Sequence, residues 1–237
     1  LSDKLADPSG ARYAYERAVE LGDVDGLVNL GVLHEQEGDP AQAAVRYREA
    51  WEQRGDPEAA LHLGDVMMDL GDPSAAIEAY RSAVEMAVPG SRVGLGLALA
   101  EAGTVDEAEQ VLSEAVHAAE PDAANALGRL LGLQGRLCEA EHVYREAIDA
   151  GDTSVLLNYA NLLSELPARR DEAIALYRQA VSHGDVRAHA NLGLLLEDRG
   201  SLEAAAEEYA RGMEGGDELA GEAYKRLSRD RRPDRLG

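Results

Sequence analysis

From Gly22 onward the chain restates one pattern every 32 or 33 residues, and that recurrence limits its fold more than any other property of the sequence. Gly22-Asp23 opens the first unit, Leu30-Gly31 sits inside it, Gly38-Asp39-Pro40 divides it, and Ala43, Tyr47 and Ala50 complete it. The next unit follows with Gly55-Asp56-Pro57, Leu63-Gly64, Gly71-Asp72-Pro73, Ala76, Tyr80 and Ala83. A period of this length marks one supersecondary unit stacked on copies of itself, so a row of shared interfaces replaces a closed core. Six full units fit, at 22–54, 55–86, 87–118, 119–150, 151–183 and 184–215.

Within each unit apolar residues fall three and four apart, as in Leu27, Leu30 and Leu33 or Ala140, Val143 and Ala147, which predicts two helices per unit. Gly38 and Gly71 suit a left-handed helix stop, Asp39 and Asp72 suit the next N-cap, and Pro40 and Pro73 suit its first turn. Thr104 with Glu107 reads as a capping box at the same place in the third unit. Loops this short force neighbouring helices to be antiparallel. The first helices share a small anchor, Gly31, Gly64, Gly96, Gly128, Ala160 or Gly193, and the second helices carry Tyr47, Tyr80, Leu112, Tyr144, Tyr177 or Tyr209. The expected fold is all-α, an α-solenoid of stacked antiparallel helix pairs filling 1–237 as a single repeat domain. Residues 1–21 read as the second half of an earlier repeat, 216–230 as a capping helix and 231–237 as a basic tail, either a disordered end or in contact with the acidic body. Two junctions depart from the pattern as drift: Ala87-Val88-Pro89-Gly90 replaces Gly-Asp, and 166–170 adds one residue to a turn.

With 45% hydrophobic but only 4% aromatic residues, no Phe and one Trp, alanine, leucine and glycine must do the packing. A formal charge of -22 disfavours nucleic acid and anionic membranes as partners and favours a basic peptide or protein surface. The single cysteine, Cys138, permits no intrachain disulfide, and no apolar run is long enough to span a membrane, so the expected compartment is the cytoplasm.

The Leu-Gly pair in the first helix, with Ala, an aromatic and Ala in the second, resembles the tetratricopeptide repeat family, and the Gly-Asp junctions resemble the related Sel1-like repeats. The resemblance implies a right-handed superhelix whose concave face, made by the first helices, holds an extended peptide or a partner's helix. The family's groove register lies six, three and two residues before the anchor and one, four and five after it. Carried over, it selects Asn29, Glu35, Asp65, Asp69, Asn125, Arg129, Asn158, Asn161 and Asn191 as peptide-binding residues. A side-chain amide offers a backbone both donor and acceptor, although the same asparagines could instead satisfy helix carbonyls within the stack. The carboxylates gather in the first two units, where a basic partner is expected.

No phosphate loop, metalloprotease motif or paired-cysteine spacing is present, and the six histidines are scattered over different units. No catalytic residue, metal ligand or cofactor is therefore expected, and the chain reads as no enzyme. Trp51, Met67 and Met68 read as packing residues. The leading functional expectation is a protein-protein interaction scaffold. The alternative is a regulatory or sensor segment of a larger multidomain protein, contacting its own effector domain, which the half repeat at the start motivates. That half repeat also makes a second copy of the chain a candidate partner, through the face around Tyr13 or Tyr15.

Overall fold

A computed structural model describes residues 8–23 and 25–230, all organised by helices. The start of the expected half repeat, 1–7, and the expected tail at 231–237 lie outside the described residues. Among those described are fourteen α-helices: α1 (Pro8–Glu20), α2 (Asp25–Gln36), α3 (Pro40–Arg54), α4 (Pro57–Asp69), α5 (Pro73–Glu85), α6 (Ser91–Glu101), α7 (Val105–His117), α8 (Ala123–Leu133), α9 (Leu137–Asp149), α10 (Leu156–Ser164), α11 (Arg170–Ser182), α12 (Ala188–Asp198), α13 (Leu202–Glu214) and α14 (Glu218–Asp230). Each full repeat is one consecutive pair, from α2/α3 to α12/α13.

The junction residues act as their chemistry dictates. Asp39, Asp56 and Asp72 accept from the backbone N–H three residues on, at 3.1, 2.8 and 3.0 Å, with a proline following each cap. Gly55 closes α3 at φ 67°, giving its N–H to the Trp51 carbonyl at 2.8 Å. Where glycine is missing the backbone keeps the same shape, because Ala87 (φ 57°) and Ala119 (φ 53°) take the left-handed conformation, which costs an L-residue roughly 1–2 kcal/mol. The capping box at Thr104 does not form. Thr104 Oγ1 turns back to the Leu99 carbonyl at 3.0 Å, and Glu107 pairs with Arg81 at 2.6 Å. The extra residue in the fifth repeat is absorbed by a 3-10 turn, Pro167–Arg169, between α10 and α11.

The chain divides into two compact units, Leu1–Ala126 and Leu127–Gly237, with the division inside α8. In the first, each helix from α1 to α7 packs on the next, and the first helices α4 and α6 also touch. The core of a repeat is its anchor glycine under its second-helix side chain. A Cβ added to Gly31, Gly64 or Gly96 would come within 2.4, 2.5 and 2.4 Å of Tyr47, Tyr80 and Leu112. Trp51, half-buried, packs between Ala50, Ala59, Ala60, Ala83 and Val88, a packing role in keeping with its spacing.

In the second unit α9 to α14 pack in series, and the first-helix neighbours α10, α12 and α14 touch. A Cβ on Gly128 or Gly193 would sit 2.4 Å from the Tyr144 or Tyr209 ring. The 3-10 turn places Arg169 where both its Nη atoms donate to Glu141 of α9, at 2.8 and 3.0 Å. Glu141 also accepts from the Tyr159 hydroxyl of α10 at 2.9 Å and pairs with Arg145. Among the described residues no helix is long and apolar enough to cross a membrane.

Candidate functional site

In the first helices one stripe is buried, and polar positions of the groove register lie on the more open side, although Ala126 and Leu157 of that register are buried. In α2, Leu27, Leu30, Gly31 and Leu33 are buried, whereas Asp25, Asn29, Glu35 and Gln36 are exposed. In α4, Glu58, Asp65 and Asp69 are exposed and His62 and Met68 are partly covered. The open face of the first unit is thus acidic across two repeats. It changes at α6, where the register offers Gly94, Leu97 and Ala100. Asn125, partly covered, lies 3.5 Å from the Asp122 carboxylate.

Two of the predicted carboxylates are tied to the body of their own repeat. The Tyr47 hydroxyl donates to Glu35, and the Tyr80 hydroxyl donates to Asp65 Oδ1 at 2.6 Å. The Tyr47 ring stacks on His62 at 5.1 Å, so it is held between Gly31 and the next first helix, and Tyr80 lies between Gly64 and Gly94. Burial, and then the bonded carboxylate, pushes both phenol pKa values well above the ordinary value, so the hydroxyls stay protonated donors.

The second unit presents amides. Asn161 Oδ1 accepts from the Tyr177 hydroxyl at 2.7 Å and from Asn191 Nδ2 at 2.9 Å, a bridge from α10 to α12. Sequence reasoning left two uses open for these asparagines; these two bond to each other and to a phenol, and not to helix carbonyls. With Asn161 Oδ1 used twice, its N–H donors and the Asn191 carbonyl oxygen remain for a ligand. Both amides line an open pocket of ≈ 310 Å³ with Ser164, Glu165, Tyr177, Leu194 and Leu195. Asn158 is partly covered in the same register and Arg129 is exposed, while Arg187 is held by Asp185 at 2.9 and 2.8 Å. The Tyr144 phenol is pushed up to about 12 by burial, against the opposing charge of Arg129.

Sequence reasoning missed the role of the tyrosine hydroxyls, of which Tyr209 donates at 2.9 Å to Glu197, a register position that also accepts from Arg226 of α14. The signal was present in the sequence as a second-helix tyrosine accompanied by an acceptor one or four residues after the anchor. Among the described residues no group of three or more His, Cys, Asp or Glu is arranged to hold a metal ion, and Cys138 is exposed at the start of α9.

A tetratricopeptide repeat family model matches residues 29–91, 61–123 and 168–223, together more than half of the chain. The chain belongs to the tetratricopeptide repeat family. Repeats of this family typically serve as non-catalytic scaffolds for protein interaction. Among solved structures, this tetratricopeptide repeat chain is similar to yeast Tom70 (17% identity, TM-score 0.73, covering 94% of this chain and 51% of that one). It is also similar to the APC/C hetero-tetramer Cut9-Hcn1 (15% identity, TM-score 0.63, covering 93% and 46%). A Sel1 repeat protein from Oxalobacter formigenes matches at 22% identity and TM-score 0.55, covering 81% of this chain and 86% of that one. The chain therefore spans about half the length of the first two. At these identities the likeness concerns the fold. No curated protein matches the chain in sequence.

Proposed function

We propose that this chain is a non-catalytic interaction module whose open first-helix faces bind a peptide or protein segment of a partner. The observation that carries this reading is the polar side chains the stack leaves accessible at register positions: Asn29, Glu35, Asp65 and Asp69 are exposed, and Asn158, Asn161 and Asn191 are partly covered. Extended segments suit such a face, because first helices in contact offer successive rows of side chains at regular intervals. In the first unit Asp25, Glu35, Glu58, Asp65 and Asp69 select basic residues in the partner through charge complementarity. In the second, the amide pair Asn161 and Asn191 addresses main-chain groups, whatever the partner's side chains.

Short peptides arrayed on a surface test the reading. Peptides captured by the full chain should bind at least about tenfold more weakly to a variant carrying Asp65→Ala, Asn158→Ala and Asn161→Ala together. Undiminished capture by that variant, with its helical content intact, would rule out these faces as the binding surface.

A further inference from the structure

Resting on the groove reading above, we infer that the second-helix tyrosines are positioning residues for the binding face: Tyr47 and Tyr80 hold Glu35 and Asp65 as oriented acceptors for cationic side chains of the partner. Three observations carry this. First, the slot over the anchor glycine does not require a hydroxyl. Leu112 fills it in the third repeat, fully buried, as close to Gly96 as Tyr47 is to Gly31. Packing alone therefore leaves the phenol oxygens unexplained, since a buried hydroxyl brings an acceptor requirement that leucine avoids.

Second, acceptors accompany the hydroxyls from repeat to repeat. Tyr47 finds Glu35 four residues after the anchor, Tyr80 finds Asp65 one after it, Tyr177 finds Asn161 one after it, and Tyr209 finds Glu197 four after it. In the third repeat, where leucine replaces tyrosine, those two positions hold Leu97 and Ala100. In the fourth they hold Arg129 and Gly132, neither of which accepts a hydrogen bond through its side chain, and the Tyr144 ring stacks on Tyr159 instead.

Third, in the first two repeats the bond joins a buried donor to an exposed acceptor. Tyr47 and Tyr80 are 0% and 3% exposed, whereas Glu35 and Asp65 lie open to solvent. A rigid ring clamped between two helices thus fixes the direction of a surface carboxylate that would otherwise sample several rotamers, and leaves its remaining lone pairs facing outward. Ordering that is complete before encounter is not charged against binding. The ligand chemistry follows from what these carboxylates lack. Glu197 already has a cation in Arg226. Among the described residues no lysine or arginine pairs with Glu35 or Asp65, so their charge is free to meet a lysine or arginine of the partner.

The test uses the full chain and the tightest lysine- or arginine-containing peptide selected against it from a display library of random peptides. Tyr80→Phe keeps the ring and removes the donor. It should weaken that peptide about three- to tenfold, with the melting transition still cooperative. Asp65→Asn should weaken it further, and Tyr80→Phe added to Asp65→Asn should change little, because the hydroxyl acts through the carboxylate. Should Tyr80→Phe fail to fold, the pair Tyr47→Phe and Glu35→Gln gives the same comparison. Unchanged affinity in Tyr80→Phe alongside a loss in Asp65→Asn, or losses that simply add, would overturn the positioning role and leave the groove reading standing. A selection that yields no such binder, or a binder indifferent to both Asp65→Asn and Glu35→Gln, would overturn the reading of this face and the inference with it.

Discussion

At the anchor of each first helix two preferences oppose each other. Alanine is a better helix former than glycine by about 1 kcal/mol, so Gly64→Ala should stabilise an isolated helix. In the stack the added methyl would lie 2.5 Å from the Tyr80 ring, and forced overpacking of a close-fitted core costs about 1–3 kcal/mol. Packing should win, and Gly64→Ala is expected to lower stability in urea by about 1–2 kcal/mol net. Ala160 stands at the same register in the repeat of Tyr177, and both are buried, so one repeat packs with the methyl in place. These glycines were legible in the sequence because a fixed spacing to a bulky second-helix residue has a single mechanical meaning. The hydroxyls above them were not, since a tyrosine in an apolar period reads as ring alone until the neighbouring helix shows an acceptor within reach. Nor was the failed capping box at Thr104, where a hydroxyl chose the Leu99 carbonyl over its own helix.

Among the helices, the contact between α9 and the turn before α11 is the best defined electrostatically. Arg169, Tyr159 and Arg145 surround the Glu141 carboxylate, and the bonds from Arg169 dominate in lowering its pKa to about 2 from an ordinary 4.5. A group with a depressed native pKa stabilises the fold above its unfolded pKa and loses that contribution as pH falls through the native one. Glu141 should therefore contribute fully at neutral pH and progressively less from pH 4.5 to about 2. Glu141→Gln is expected to lower stability at pH 7 by about 1–3 kcal/mol. Denaturant titrations of the two proteins should converge as pH falls through that window. The helix pairs themselves could be read from periodicity and from the Gly-Asp junctions. This contact could not, because it depends on a single inserted residue that sequence reasoning took for drift, and only folding shows that the insertion delivers Arg169 to a helix two elements earlier.

For the molecule as a whole, a net charge of -22 on 237 residues opposes compaction more than the surface ion pairs favour it. Exposed pairs contribute about 0–1 kcal/mol each and are weakened by salt, whereas screening relieves every like-charge repulsion together. Raising ionic strength from about 10 mM to about 150 mM shortens the Debye length from about 30 to about 8 Å, and the melting temperature should rise by several degrees. A fall on adding salt would mean that the ion pairs outweigh the repulsion. The fold class was thus readable almost entirely from repetition, whereas the division into two compact units left no mark in the spacing.

The third repeat also gives the first unit a sense of direction. Along α2, α4 and α6 the register runs from carboxylate to carboxylate to an exposed Leu97 beside the partly covered Gly94 and Ala100. A row without mirror symmetry along its length distinguishes head from tail: a strand laid across it with its charged end over α2 meets complements, and the same strand reversed brings those charges over hydrocarbon.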